Sequence, residues 1–258
     1  MSSPFLRPTL AERLSTVILG ALLTLAAAGC IGGALLARSL GVSVSLLPFL
    51  GYGSFGFLLV GTMFWMTRPS WYGMFITIGL VLCLIGDASL YYKSFLIGSS
   101  SFLVAHIAFI MAFFTLRASR RDPAGEYACG ARHGFFGAFS WGRLSVSIPV
   151  MVLISAGLAF WILPGVENVA ELVLVPAYMV VITTMVIFSG GIRDTRMRAI
   201  VFLAAILFYI SDIFVAEWRY VNIIGDTSYY CYPLYYAGCF LFAWSVGVKN
   251  LSRAERAE

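Results

Sequence analysis

Charge is scarce in this chain. Asp, Glu, Lys and Arg together make up 11% of its 258 residues, too little to clothe a water-soluble domain of this size. Histidine occurs twice and cysteine five times. The cysteines, Cys30, Cys83, Cys129, Cys231 and Cys239, have no metal-ligand spacing, and four lie in or at the ends of apolar runs. They read as small apolar residues, and no metal site is expected. There is also no P-loop, no G-x-S-x-G elbow and no Cys/His nucleophile arrangement, so the chemistry expected is cofactor-free. Nothing points to nucleic acid.

What the chain has instead is apolar sequence. Hydrophobic residues make up 60% of it, with a mean hydropathy of +0.91, and such a composition describes an integral membrane protein. A bilayer core of roughly 30 Å takes ~20 helical residues. Eight runs reach that length, near 15–36, 45–66, 71–92, 95–117, 144–163, 169–189, 198–218 and 229–249. The expected fold is all-α, one polytopic membrane domain of eight transmembrane helices over residues 1–258. Its one long loop, 118–143, is rich in Gly and charge and contains Pro123, a poor helix former.

The basic residues orient the bundle. Eight crossings leave both termini on one face, whose joints carry 14 of the 17 Lys and Arg; Arg38, Lys93 and Arg219 fall on the other. By the positive-inside rule the termini are cytoplasmic, as in a bacterial inner membrane. The net charge of +5 then reflects topology and contact with anionic lipid. The stretch "TLAAAGC" ending at Cys30 resembles a lipoprotein processing site, but Ala27 stands where Leu is usual and apolar sequence continues through "IGGALLA". An uncleaved first helix is expected.

Five ionisable residues cannot be moved out of the spans: Asp87, His106, Glu171, Asp212 and Glu217. Each costs a few kcal/mol in lipid unless paired or wetted, so each is a functional candidate. At ~1.5 Å per residue, Asp87 and Asp212 lie about 8 and 9 Å below the outer surface, Tyr178, Tyr235 and Tyr236 about 10–14 Å, and His106 about 16 Å. Polar groups from five helices thus reach one layer in the outer half of the bilayer. Glu171 and Glu217 sit near enough to the surface to be wetted and structural, and His133, in the basic loop, reads as solvated. A weak repeat lays "LIGDASLYY" on "YISDIFVAE" and pairs Pro48 with Pro176, which suggests two parallel four-helix halves whose aspartates face each other. For any single residue, helix packing is the competing explanation.

The series "LIGDASL", "LVAHIAF", "VPAYMVV", "YISDIFVAEWRYV" and "PLYYAGCFLFAWSV", over residues 45 to 249, resembles the YhhN-like lysoplasmalogenases. The resemblance implies an eight-helix membrane hydrolase that cleaves the vinyl-ether bond of a lysoplasmalogen, releasing a fatty aldehyde and glycerophosphoethanolamine or glycerophosphocholine. The chain departs from the family at Ser45, Leu46 and Leu47, where relatives often carry a lysine, and at Cys239, near a frequent Gln or His. The residues suit that chemistry. Vinyl-ether hydrolysis needs an acid to protonate carbon and a nearby carboxylate to support the cation, roles open to Asp87 and Asp212. His106 or Tyr178 would position the attacking water. Tyr178, Tyr235 and Tyr236, with Lys93 or Arg219 at the headgroup, would bind the lysophospholipid. Two other classes are consistent with intramembrane carboxylates, a proton-coupled lipid or solute transporter and a catalytically silent lipid-binding relative.

Overall fold

The computed structural model describes residues 10–43, 45–92, 94–116 and 137–254. Eight of its helices are long and apolar enough to cross a membrane. In lipid the backbone must satisfy its own hydrogen bonds, and an apolar run does so as a helix. The helices are α1 (Leu10–Ser39), α2 (Leu47–Thr67), α3 (Trp71–Tyr91), α4 (Phe95–Phe114), α5 (Trp141–Ile162), α6 (Val169–Gly191), α7 (Thr195–Ala216) and α8 (Ser228–Ala254). The chain is therefore an integral membrane protein. Of the long loop, residues 118–136 lie outside the described residues, as do Lys93, Cys129 and His133. The loop's far end is shorter than expected, because α5 already begins at Trp141.

Polar side chains start several helices where apolar residues could not. Ser70 accepts a hydrogen bond from the Gly73 amide at 3.1 Å, Asn168 from Ala170 at 2.8 Å and Asp194 from Met197 at 3.1 Å, each meeting an amide that has no partner within its helix. Ahead of α8, Asp226 pairs with Arg38 at 2.8 Å and ties the end of α1 to the start of α8. Partial burial works to raise the Asp226 carboxyl; the Ser228 hydroxyl and amide, and then Arg38, outweigh it and hold the group below the usual range.

Within the bundle α3 packs on α4 and α7 on α8, while α2 touches α1, α3 and α8, and α6 touches α4, α5 and α7. The most enclosed span is α8, and α5 is the least. Large apolar side chains such as Leu22, Leu25, Val150, Leu153, Phe160 and Val180 are exposed, as a lipid-facing surface requires.

The α3–α4 seam sets the position of the polar layer. A Cβ at Gly79 would fall 2.3 Å from Phe109, and one at Gly86 2.7 Å from Phe102. Two glycines seven residues apart share a helix face, so α3 accepts both rings of α4 and holds His106, which lies between them in sequence, at a fixed height. Phe109 has no room to retreat, being fully buried and stacked on Phe242 with centroids 4.3 Å apart. Gly79→Ala is expected to cost ~1–3 kcal/mol through overpacking. It should lower the melting temperature in detergent, whereas Gly51→Ala, where a Cβ meets nothing within 4 Å, should not.

Candidate functional site

Helical spacing collects the polar groups. On α4, Phe102, His106 and Phe109 follow i, i+4, i+7; on α7, Phe208 and Asp212 follow i, i+4, so each set projects from one face. The faces meet around the ring of Phe208, which lies 4.7 Å from the His106 ring and 5.2 Å from that of Tyr235.

Side chains from two other helices surround each aspartate, both of them hydrogen-bonded at Asp87 and one at Asp212. The Oδ2 of Asp87 accepts from the Ser54 hydroxyl on α2 at 2.6 Å and from the Tyr235 hydroxyl on α8 at 2.9 Å. Beside them the Tyr236 hydroxyl donates to the Leu50 carbonyl at 2.9 Å and lies 3.1 Å from Ser54 Oγ. The Oδ2 of Asp212 accepts from the Tyr178 hydroxyl on α6 at 2.6 Å, and Nε2 of His106 on α4 lies 3.9 Å away. No hydrogen bond joins the two carboxylates among the described residues.

Exposure divides these groups. His106 is fully buried, and neither of its ring nitrogens makes a hydrogen bond of ordinary geometry to the described residues. The Asp212 side chain keeps 19% of its surface accessible, and Asp87 and Tyr178 are half-buried. A partly accessible carboxylate is thus backed by a buried imidazole ringed by Phe208, Tyr178 and Phe109. Orphaned imidazole nitrogens are costly in an apolar interior and uncommon there.

Asp87, Tyr236, Tyr235, His106, Tyr178 and Asp212 are therefore joined through hydrogen bonds and ring contacts, by way of Phe208, in one connected cluster. Arg219 is engaged elsewhere: it donates to Glu171 at 2.8 Å and its guanidinium carbon stands 4.8 Å over the Phe95 ring. The two glutamates differ from the wetted groups expected. Glu171 is buried against Arg219, and Glu217 is fully buried, its Oε1 accepting from the Ile223 and Ile224 amides at 2.6 Å each. That carboxylate closes the wide turn after α7, where Asn222 takes a positive φ of 52°. Ser54 is the site residue that an inventory of ionisable groups passes over; its signal is a hydroxyl in the otherwise apolar "GYGSFGF" of α2. Among the described residues no group of three or more His, Cys, Asp or Glu side chains could hold a metal ion.

A polytopic α-helical membrane protein with two carboxylates, hydroxyls and one buried histidine in a connected cluster inside the bundle is the class that this fold and site define. The YhhN family matches residues 53–246, three-quarters of the chain, and the protein belongs to that family. A protein of Dictyostelium discoideum named lysoplasmalogenase homolog is 54% identical over 47 residues. That stretch covers 18% of this chain and only 16% of the Dictyostelium protein. No solved structure matches.

Proposed function

We propose that this protein is a lysoplasmalogenase-type hydrolase that cleaves the vinyl ether of a lysoplasmalogen within the membrane. Family membership supports the class, and the Dictyostelium relative's name supports the substrate. The observation that carries the reading is the pair of aspartates, each oriented by a tyrosine hydroxyl, with His106 buried behind one of them.

The chemistry follows from the groups present. A carboxylic acid transfers its proton to the β-carbon of the vinyl ether, and the electron pair of the double bond forms the new C–H bond. The resulting oxocarbenium ion is supported by the second carboxylate. Water adds at the α-carbon and loses a proton to the carboxylate that gave one up. The hemiacetal then gives up its hydroxyl proton, the glycerol oxygen gains one as its C–O bond breaks, and the products are the aldehyde and a glycerophosphodiester. His106 and Tyr178 orient the water, and Tyr235 fixes Asp87. A layer ~8–16 Å deep lets the headgroup of a single-chain lipid stay near the surface while its ether reaches the aspartates.

The two clusters also support the reading of two parallel halves. The partners of Asp87 come from α2 and α8, those of Asp212 from α6 and α4, the same positions displaced by four helices. In this reading both termini and the 118–143 loop are cytoplasmic, on the strength of the basic residues there. Cys129 should stay unlabelled by an impermeant maleimide in intact cells and react after lysis; labelling before lysis reverses the orientation.

Purified protein in detergent, given a lysoplasmalogen, should release free aldehyde in proportion to enzyme. Stabilisation by lysolipid without aldehyde would make this a lipid-binding relative, and proton-coupled flux in liposomes without turnover would make it a transporter.

A further inference from the structure

A second polar feature lies at the end of the bundle away from the aspartates. An open cleft of about 350 Å³ between the starts of α5 and α7 and the end of α6 is lined by Arg143, Val146, Ser147, Gly190, Arg198 and Phe202, among others. Two of these are arginines, and among the described residues that line it there is no carboxylate. Arg143 is set in place by one nitrogen, Nη1 donating to the Ile192 carbonyl just beyond α6 at 3.0 Å, the one hydrogen bond of its side chain among the described residues. Arg198 is half-buried, and its Nη1 is buried with no hydrogen-bond partner. A guanidinium hydrogen removed from water without an acceptor is costly, and a phosphate offers pairs of acceptor oxygens that the planar guanidinium fork can meet bidentately.

The rest of the cleft is suited to a lipid. Both arginines stand in the first turns of membrane spans, at headgroup depth, beside Trp141, which is 63% exposed and of the type that marks the membrane–water interface. One turn deeper, Val146 and Phe202 are exposed to the bilayer and lead onto the open apolar flank of α5 at Val150 and Leu153. The floor is the backbone of α6: a Cβ at Gly190 would enter the cleft 3.2 Å from the Phe202 ring and 3.5 Å from Ser147 Oγ. By the alternation of the spans this end lies on the same face as the start of α1 and the end of α8.

We propose that this cleft binds an anionic phospholipid of that leaflet, Arg143 and Arg198 clamping the phosphate while the acyl chains lie over Val146, Phe202 and α5. The site is separate from the aspartate layer and does not depend on the hydrolase reading.

The test is thermal stability of the purified full chain in a neutral detergent, titrated with phosphatidylglycerol, phosphatidylcholine or inorganic phosphate. A ligand that binds the folded state raises the melting temperature with its concentration. Phosphatidylglycerol should give the largest shift in wild type. Arg198→Gln should weaken that response about tenfold, the loss of one charge-assisted contact, and Arg143→Gln should act in the same direction. Arg196→Gln removes the same charge two residues from Arg198 at a position outside the lining, and should leave the midpoint unchanged. Gly190→Leu keeps both charges, fills the cleft and should also weaken the response. An unchanged midpoint in Arg198→Gln, or an equal loss in Arg196→Gln, would refute the cleft as the site. An equal shift with inorganic phosphate would replace the lipid by a free anion, and an equal shift with phosphatidylcholine would remove the need for net negative charge.

Discussion

Asp87→Asn and Asp212→Asn should each lower aldehyde release by about a hundredfold to ten-thousandfold, the range that a general acid or base contributes. The substitutions keep the shape of the side chain and its capacity to accept from Ser54 and Tyr235, or from Tyr178, so insertion and folding should survive. What they remove is the ability to hold and pass a proton at that atom. Loss of kcat and kcat/KM together would mark an interaction made only in the transition state. Near-wild-type turnover in either variant, with folding confirmed by melting temperature, would take that aspartate out of the mechanism. Phenylalanine at Tyr178 or Tyr235 should act in the same direction with a smaller effect, since each removes one hydrogen bond to a carboxylate rather than the carboxylate itself.

His106→Gln should reduce kcat by about tenfold or more, because a misplaced water forfeits part of the advantage of a fixed geometry. The measurement that assigns the residue is the pH profile. If His106 only positions water, the profile of the glutamine variant keeps its position along the pH axis and loses height. If His106 is itself the acid or base, one limb disappears. A profile abolished in His106→Gln and retained in an active aspartate variant would transfer the proton chemistry from the carboxylates to the imidazole. Its place 3.9 Å from Asp212, too long for a direct hydrogen bond but directly behind the carboxylate, supports the positioning role.

The number of spans and their approximate ends were legible in the sequence, and so was a short list of polar residues within the spans. An apolar run of bilayer length has essentially one backbone solution, and helical rise converts residue number into depth. Asp87, His106, Tyr178, Asp212, Tyr235 and Tyr236 could thus be expected at one level before any contact was known. Their partners could not be assigned in that way. A membrane helix apolar on nearly every side has little of the amphipathic pattern that would show which face turns inward. The rotation of each helix is set by packing, as where Gly79 and Gly86 receive Phe109 and Phe102. Only the folded bundle therefore decided that Ser54 meets Asp87, that Arg219 turns to Glu171, that Glu217 is consumed in closing a turn, and that Arg143 and Arg198, 55 positions apart by their numbers, flank one cleft. Depth is a local property of a helix, whereas partnership depends on how neighbouring helices interlock, and that arises from the bundle as a whole.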